Sequence, residues 1–171
     1  AMKAFDMDAP AERIAHALRV LAEKAGIGGM IGGQVVDVES EGKNIDAATL
    51  EFIHRNKTGA LMEAAMMTGA ILAGADDEQI LAMEQAAGKT GLAFQIRDDI
   101  LDVTGTEAEL GKPVGSDEKN SKVTYVSLYG LEHAETEVKR LSDEAIALLE
   151  ALPVKNQFLE ELLMSLVDRK K

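Results

Sequence analysis

Phe94-Gln95-Ile96-Arg97-Asp98-Asp99-Ile100-Leu101-Asp102-Val103 decides how this chain reads, both as a fold and as a site. The run closes a long helix that opens at Asp76, where Gln79 three residues later makes a capping-box variant. On a helix of about 3.6 residues per turn, Asp98 and Asp102 stand one above the other and Asp99 lies about 100° round, so the three carboxylates can converge. Like charges gathered in this way repel unless a cation relieves them. Hard oxygen ligands with no Cys or His nearby suit Mg²⁺, which, held by one or two carboxylates, completes its octahedron with water and phosphate oxygens. The expectation is a phosphate or diphosphate site. A solvated acidic surface is the competing reading, and the position of the run in the C-terminal half of its helix, where the macrodipole disfavours carboxylates, argues against it.

Working outward, the rest of the chain also reads as helix. Pro10 and Glu12 after Asp8 make a helix start, followed by Ile14, Leu18, Leu21 and Ala25 and stopped at Gly26-Ile27-Gly28-Gly29. A second helix is expected over Met30 to Glu39. Asp46 reads as an N-cap, and one unbroken helix is expected from Ala47 to Ala73, ending at Gly74. The stretch from Thr104 to Ser121 has no period and holds three glycines and a proline, so it is expected as a loop. Two terminal helices follow, one on Leu131, Ala134, Val138, Leu141, Ala145, Leu148 and Leu152, the other on Phe158, Leu159, Leu162, Leu163 and Leu166. With 46% hydrophobic and only 4% aromatic residues in 171, the composition fits a single all-α region.

The net charge of -12 removes the basic footprint that nucleic-acid binding needs. No disulfide framework is possible without cysteine, which fits a reducing cytoplasm, and no apolar stretch is long enough to span a membrane as a helix. Cytoplasmic localisation is therefore the expectation.

Polar side chains on apolar stripes carry the functional signal. Leu50, Ile53, Lys57, Leu61, Ala64 and Thr68 share a face by the 3/4 rule, which sets the Lys57 ammonium among apolar neighbours, where it needs a partner or must reach water along its stem. Gln34 shares a face with Ile31, Val35 and Val38, and Asp37 follows it by three. Gln95, Asp98 and Asp102 form a polar line after Phe94. Three helices each turning a polar line inward is how a bundle builds a site in its core. Each item also has a plainer reading: Gln34 and Asp37 as exposed positions, Lys112 and Lys122 as solvated loop charges, Asp76-Asp77 as a cap. His16, His54 and His133 show no metal-ligand spacing to one another.

Four segments in order resemble the trans-prenyltransferases of the farnesyl and geranylgeranyl diphosphate synthase type: Gly32-Gly33-Gln34 with Asp37; His54-Arg55-Asn56-Lys57-Thr58-Gly59-Ala60-Leu61; the aspartate run; and Gly111-Lys112-Pro113-Val114-Gly115-Ser116-Asp117 with Lys122-Val123-Thr124-Tyr125. The resemblance is to the C-terminal part of such enzymes and implies a helical bundle, the C-terminal portion of an isoprenoid-synthase fold. It implies Mg²⁺-dependent condensation of an allylic diphosphate with isopentenyl diphosphate through a carbocation. It further implies Asp98 as the principal metal ligand with Asp99 and Asp102 in support, and Lys57, Lys112 and Lys122 on the allylic diphosphate. By the same resemblance Thr58 and Gln95 lie beside the reacting carbon, Phe94 lines the isopentenyl side, and Gln34 and Asp37 complete the polar lining.

The family carries a first aspartate-rich motif that has no counterpart here, together with the basic residues that bind isopentenyl diphosphate. The expectation is a chain that needs the missing N-terminal half of the same protein, that is inactive alone, and that self-associates, the parent being a homodimer. A non-catalytic helical subunit that regulates or partners a complete synthase is the alternative. Such a subunit would have no need of Asp98, Lys57 and Lys112 together.

Overall fold

The capping residues start the helices where local hydrogen bonding requires. In this computed structural model, which describes residues 2–105 and 122–169, Asp46 accepts from the Thr49 backbone N–H at 2.8 Å and from its hydroxyl at 2.7 Å. Asp76 takes the Gln79 N–H at 2.9 Å while the Gln79 side chain takes the Asp76 N–H at 3.1 Å, the reciprocal pair of a capping box. Gly74 ends the intervening helix at φ 90°, a left-handed conformation that glycine adopts without a Cβ clash.

After a 3-10 turn at Met2–Asp6, the elements are α1 (Ala11–Ala25), α2 (Met30–Glu39), α3 (Ala47–Ile53), a π-helical turn (His54–Gly59), α4 (Ala60–Ala73) and α5 (Asp77–Thr104). Beyond the gap come α6 (Tyr125–Tyr129), α7 (Leu131–Glu150) and α8 (Gln157–Val167). The described residues are helical with no strand, as the composition predicts. The expected loop lies outside the described residues from 106 to 121, and Lys112 with it.

Helix α5 is the spine. Its Leu92, Ala93, Ile96 and Ile100 meet Ala134, Val138 and Leu141 of α7 and Val167 of α8. Lower on the same helix Ala86 packs with Ala145, Leu149 and Leu163. At its start Ile80 joins Ala17 and Val20 of α1 and Met67 and Ile71 of α4. Ile96 and Ile100 are fully buried, and truncating either to alanine would cost about 2–5 kcal/mol. Lys24 of α1 is shared between Glu63 of α4 at 2.5 Å and Glu84 of α5 at 2.6 Å. Burial alone would lower its pKa, but the hydrogen bonds to the two glutamates outweigh that and hold it raised.

Four sequence expectations are corrected. The helix from Ala47 to Ala73 is not one α-helix, because the π turn widens it by an i→i+5 step, seen in the bond from the Ala60 N–H to the Arg55 carbonyl. A π turn winds fewer degrees per residue, so the face of Leu50 and Ile53 is not continued by Leu61, which is 42% exposed; Ala60, Ala64, Met67 and Ile71 carry the buried face instead. In α1, which starts after Pro10 as expected, the buried residues are Ile14, Ala17 and Val20, with Leu18 and Leu21 only half-buried. In α8, Phe158 and Leu162 are exposed and Leu163 and Val167 face the core. The α2 stripe of Ile31, Val35 and Val38 is exposed as well, and the residue α2 buries is Gly33.

Candidate functional site

Close backbone approach sets the site. A Cβ on Gly33 would overlap the backbone at Asn56 and Lys57, so only glycine lets α2 lie directly against the π turn. On the other side of the turn, a Cβ on Gly91 would fall 2.7 Å from the Gly59 Cα, which brings α5 equally close. The π turn is thus clamped between α2 and α5. Asp37, one helical turn beyond Gly33, is consequently within reach of the Lys57 side chain, and Lys57 Nζ donates to Asp37 Oδ2 at 2.5 Å.

Lys122 reaches the same carboxylate from the other side, with Nζ 3.7 Å from Asp37 Oδ1. Asp37 is only 12% exposed, so one largely buried carboxylate holds two ammonium groups from separate segments of the chain. They open into a cleft of about 470 Å³ whose walls include Gln95, Asp98 and Asp99 of α5 and the turn at Ser40 to Lys43.

The two adjacent aspartates face different partners. Asp98 has a side chain 54% exposed and pairs with Arg169, whose guanidinium also lies over the Phe94 ring at 3.7 Å. Asp99 accepts the Tyr125 backbone N–H at 2.6 Å. Asp102 is buried, at 2% exposure. Among the described residues no three acids or histidines form a group that could hold a metal ion. The convergence of all three carboxylates expected from spacing is therefore not what the described residues adopt: Asp98 and Asp99 wall the cleft, and Asp102 is not among its walls.

His54 opens the π turn and is buried, with no hydrogen-bond partner for Nδ1 among the described residues. Its pKa is lowered from 6.5 to about 4, first by burial and then by the nearby Lys122 and Lys57, with Asp37 opposing. A neutral imidazole is the form that avoids adding a third positive charge beside two lysines.

Of the residues proposed from sequence, the cleft gathers Asp37, Lys57, Gln95, Asp98, Asp99 and Lys122. Gln34 on α2 and Thr58 on the π turn are half-buried but are not among the cleft walls, and Phe94 lies under Arg169. Lys112 lies outside the described residues. Sequence reasoning missed Arg169 and the role of His54. Only the position of His54 three residues before Lys57 hinted at the latter.

An all-α bundle with this cleft has the isoprenoid-synthase fold. Geranylgeranyl pyrophosphate synthetase from Pyrococcus horikoshii superposes at a TM-score of 0.83 over 97% of this chain and 62% of its own, at 28% identity. A Helicobacter pylori geranyltransferase, solved with magnesium and isoprenyl diphosphate, gives 0.77 over 96% and 54% at 32% identity. The polyprenyl synthetase family matches residues 2–161, and the chain belongs to that family. It is 48% identical over 137 residues to a dimethylallyltranstransferase of Fischerella ambigua and 47% identical over 125 residues to the farnesyl diphosphate synthase of Geobacillus stearothermophilus. These alignments cover 80% and 70% of this chain but 40% and 42% of those relatives, so the chain spans less than half their length. Among the described residues no helix is long and apolar enough to cross a membrane.

Proposed function

We propose that the cleft of Asp37, Lys57, Lys122 and Asp98 binds the diphosphate of an allylic substrate, and that the protein is a short-chain prenyl diphosphate synthase. The reaction is condensation of that allylic diphosphate with isopentenyl diphosphate to farnesyl or geranylgeranyl diphosphate. The observation that carries the reading is the pair of lysines on a single carboxylate: with Asp37 already shared, the two ammonium groups retain net positive charge toward the cleft, facing Asp98 across it. Similar proteins, among them a geranyltransferase solved with magnesium and isoprenyl diphosphate, support the same chemistry.

The donor set fits Mg²⁺ bound in the open manner that this ion prefers, with one or two carboxylates and substrate oxygens rather than an all-protein cage. Asp98 would hold it, with Asp99 on the same wall and Asp102 behind. When bound, the ion supplies Lewis-acid stabilisation of the departing diphosphate. The chain's own residues do the rest. Lys57 and Lys122 hold the anionic oxygens, and hydrogen bonds to a charged group are worth about 1.5–3 kcal/mol each. Gln95 lines the cleft beside Lys57 and presents a carbonyl dipole to positive charge developing on the allylic carbon. His54, held neutral, seals the inner wall.

In this reading the chain, whose 171 residues hold no second run of the DDxxD type, supplies one side of the site and acts with the remaining part of a larger synthase, so that alone it is expected to be inactive. Calorimetry of the chain with Mg²⁺ and inorganic diphosphate, or a non-hydrolysable allylic diphosphate analogue, tests the reading. Expected is Mg²⁺-dependent binding that Lys57→Ala and Asp98→Asn each weaken; no binding by the unaltered chain would favour the non-catalytic partner subunit. Incorporation of labelled isopentenyl diphosphate by the purified chain would overturn the claim of inactivity.

A further inference from the structure

We infer that Asp99 is a positioning residue for Lys122, and that it serves as a hydrogen-bond acceptor for the start of α6 rather than as a metal ligand. The inference rests on the diphosphate reading above and reassigns one member of its aspartate run.

The segment after the gap enters the described structure at Lys122 and becomes helical three residues later. Helix α6 has five residues and none of them is buried; among the described residues Tyr125 and Val126 pack against the α5–α7 core and the Tyr129 ring lies 5.5 Å from that of His133. Its first N–H groups need partners. Thr124 and Ser127 satisfy each other: the Ser127 N–H donates to Thr124 Oγ1 at 3.1 Å and the Thr124 N–H donates to Ser127 Oγ at 2.9 Å. The Tyr125 N–H lies between those two and donates to Asp99 Oδ2 at 2.6 Å.

This bond spans 26 residues of sequence and joins α5 to the segment that carries Lys122. Lys122 meets Asp37 at 3.7 Å with a side chain 49% exposed, a contact too long and too open to fix the backbone by itself. The Asp99 bond, short and charge-assisted, is the stronger anchor. Consecutive aspartates on one helix point about 100° apart, which is why Asp98 can face the open side while Asp99 faces the incoming chain.

The two roles make opposite demands on the side chain. Accepting from a backbone N–H needs an oxygen, so Asp99→Asn keeps the bond and gives up only its charge assistance. Metal ligation by a carboxylate needs the charge, so Asn loses it. Hydrogen exchange at the Tyr125 amide, together with calorimetry using Mg²⁺ alone and Mg²⁺ with inorganic diphosphate, separates them in the full chain.

For Asp99→Asn the expected result is Tyr125 exchange no more than roughly threefold faster than in the unaltered chain and binding within roughly twofold, whereas Asp98→Asn weakens Mg²⁺ binding at least roughly tenfold. Asp99→Ala should speed Tyr125 exchange roughly tenfold and weaken diphosphate binding roughly fivefold with Mg²⁺ binding unchanged. Adding Lys122→Ala to Asp99→Ala should bring no further loss, because both act through one contact. Asp99→Asn behaving like Asp98→Asn, or additive losses in the double variant, would overturn the inference while leaving the diphosphate reading intact. Failure of the unaltered chain to bind Mg²⁺-diphosphate would remove both. Should Asp99→Ala not fold, the isosteric Asp99→Asn decides alone.

Discussion

Two polar clefts lie on either side of His54, and the larger is not the one with the proposed chemistry. The larger, about 610 Å³, is walled by Glu51, Arg55, Glu63, Glu84, Lys89, Glu137 and Arg140 among others. Its cations are fully matched: Arg55 by Glu51 at 2.7 Å, Lys89 by Glu144 at 2.6 Å, Arg140 by Glu137 and Glu144. In the smaller cleft two lysines share one aspartate. Size measures what space is left between helices. Two ammonium groups on one buried carboxylate leave a positive charge at that point, while Glu41, Asp98 and Asp99 line the same cleft, so charges of both signs face one cavity.

The largest effect expected on this contrast comes from the wall between the clefts. The His54 pKa is lowered to about 4 in the folded chain from 6.5, so between those values the unfolded chain binds more protons and stability falls as the pH drops. Denaturant unfolding from about pH 7 to about pH 4 should show about 3 kcal/mol of stability loss that His54→Gln abolishes. An equal slope in the variant would assign the loss to other groups.

Next, Lys57→Met should weaken Mg²⁺-diphosphate binding roughly thirtyfold, about 2 kcal/mol, whereas Arg140→Met in the larger cleft should leave it unchanged. Equal effects would erase the distinction between the clefts. Lys24→Met leaves Glu63 and Glu84 facing each other without their shared cation. Because the three side chains keep 19–32% of their exposure, the loss in chemical unfolding should be about 1–2 kcal/mol, with diphosphate affinity unaltered. The smallest effect belongs to Arg169→Ala, which releases Asp98 from a partly exposed pair and should tighten Mg²⁺ binding in calorimetry roughly two- to threefold.

What was legible in the sequence was whatever its own neighbours decide. Asp46 finds its donor three residues on, Asp76 and Gln79 cap each other across one turn, and Gly74 needs only its own φ, so starts and stops were read correctly. Helix α2 emerged with the expected bounds for the same reason. Of the residues singled out from motif and spacing, Asp37, Lys57, Gln95, Asp98, Asp99 and Lys122 meet at one cleft.

Features that failed to show depend on distant partners. Arg169 lies 71 residues from Asp98, and Lys24 lies 39 and 60 residues from its two glutamates. Helix α6 is too short to display a period. Which face of a terminal helix is buried is decided by its neighbours, and so Phe158 and Leu162 went the wrong way. The π turn escaped because i→i+4 patterning has no mark for a residue too many.

That extra residue has a genetic meaning. A π turn holds one residue more than the α-helical turn that sweeps nearly the same rotation. Deleting a single residue within His54–Gly59 would therefore leave α3 and α4 pointing where they now point, and would carry the Lys57 side chain away from Asp37. The architecture and the lysine pair it houses are separable by one codon.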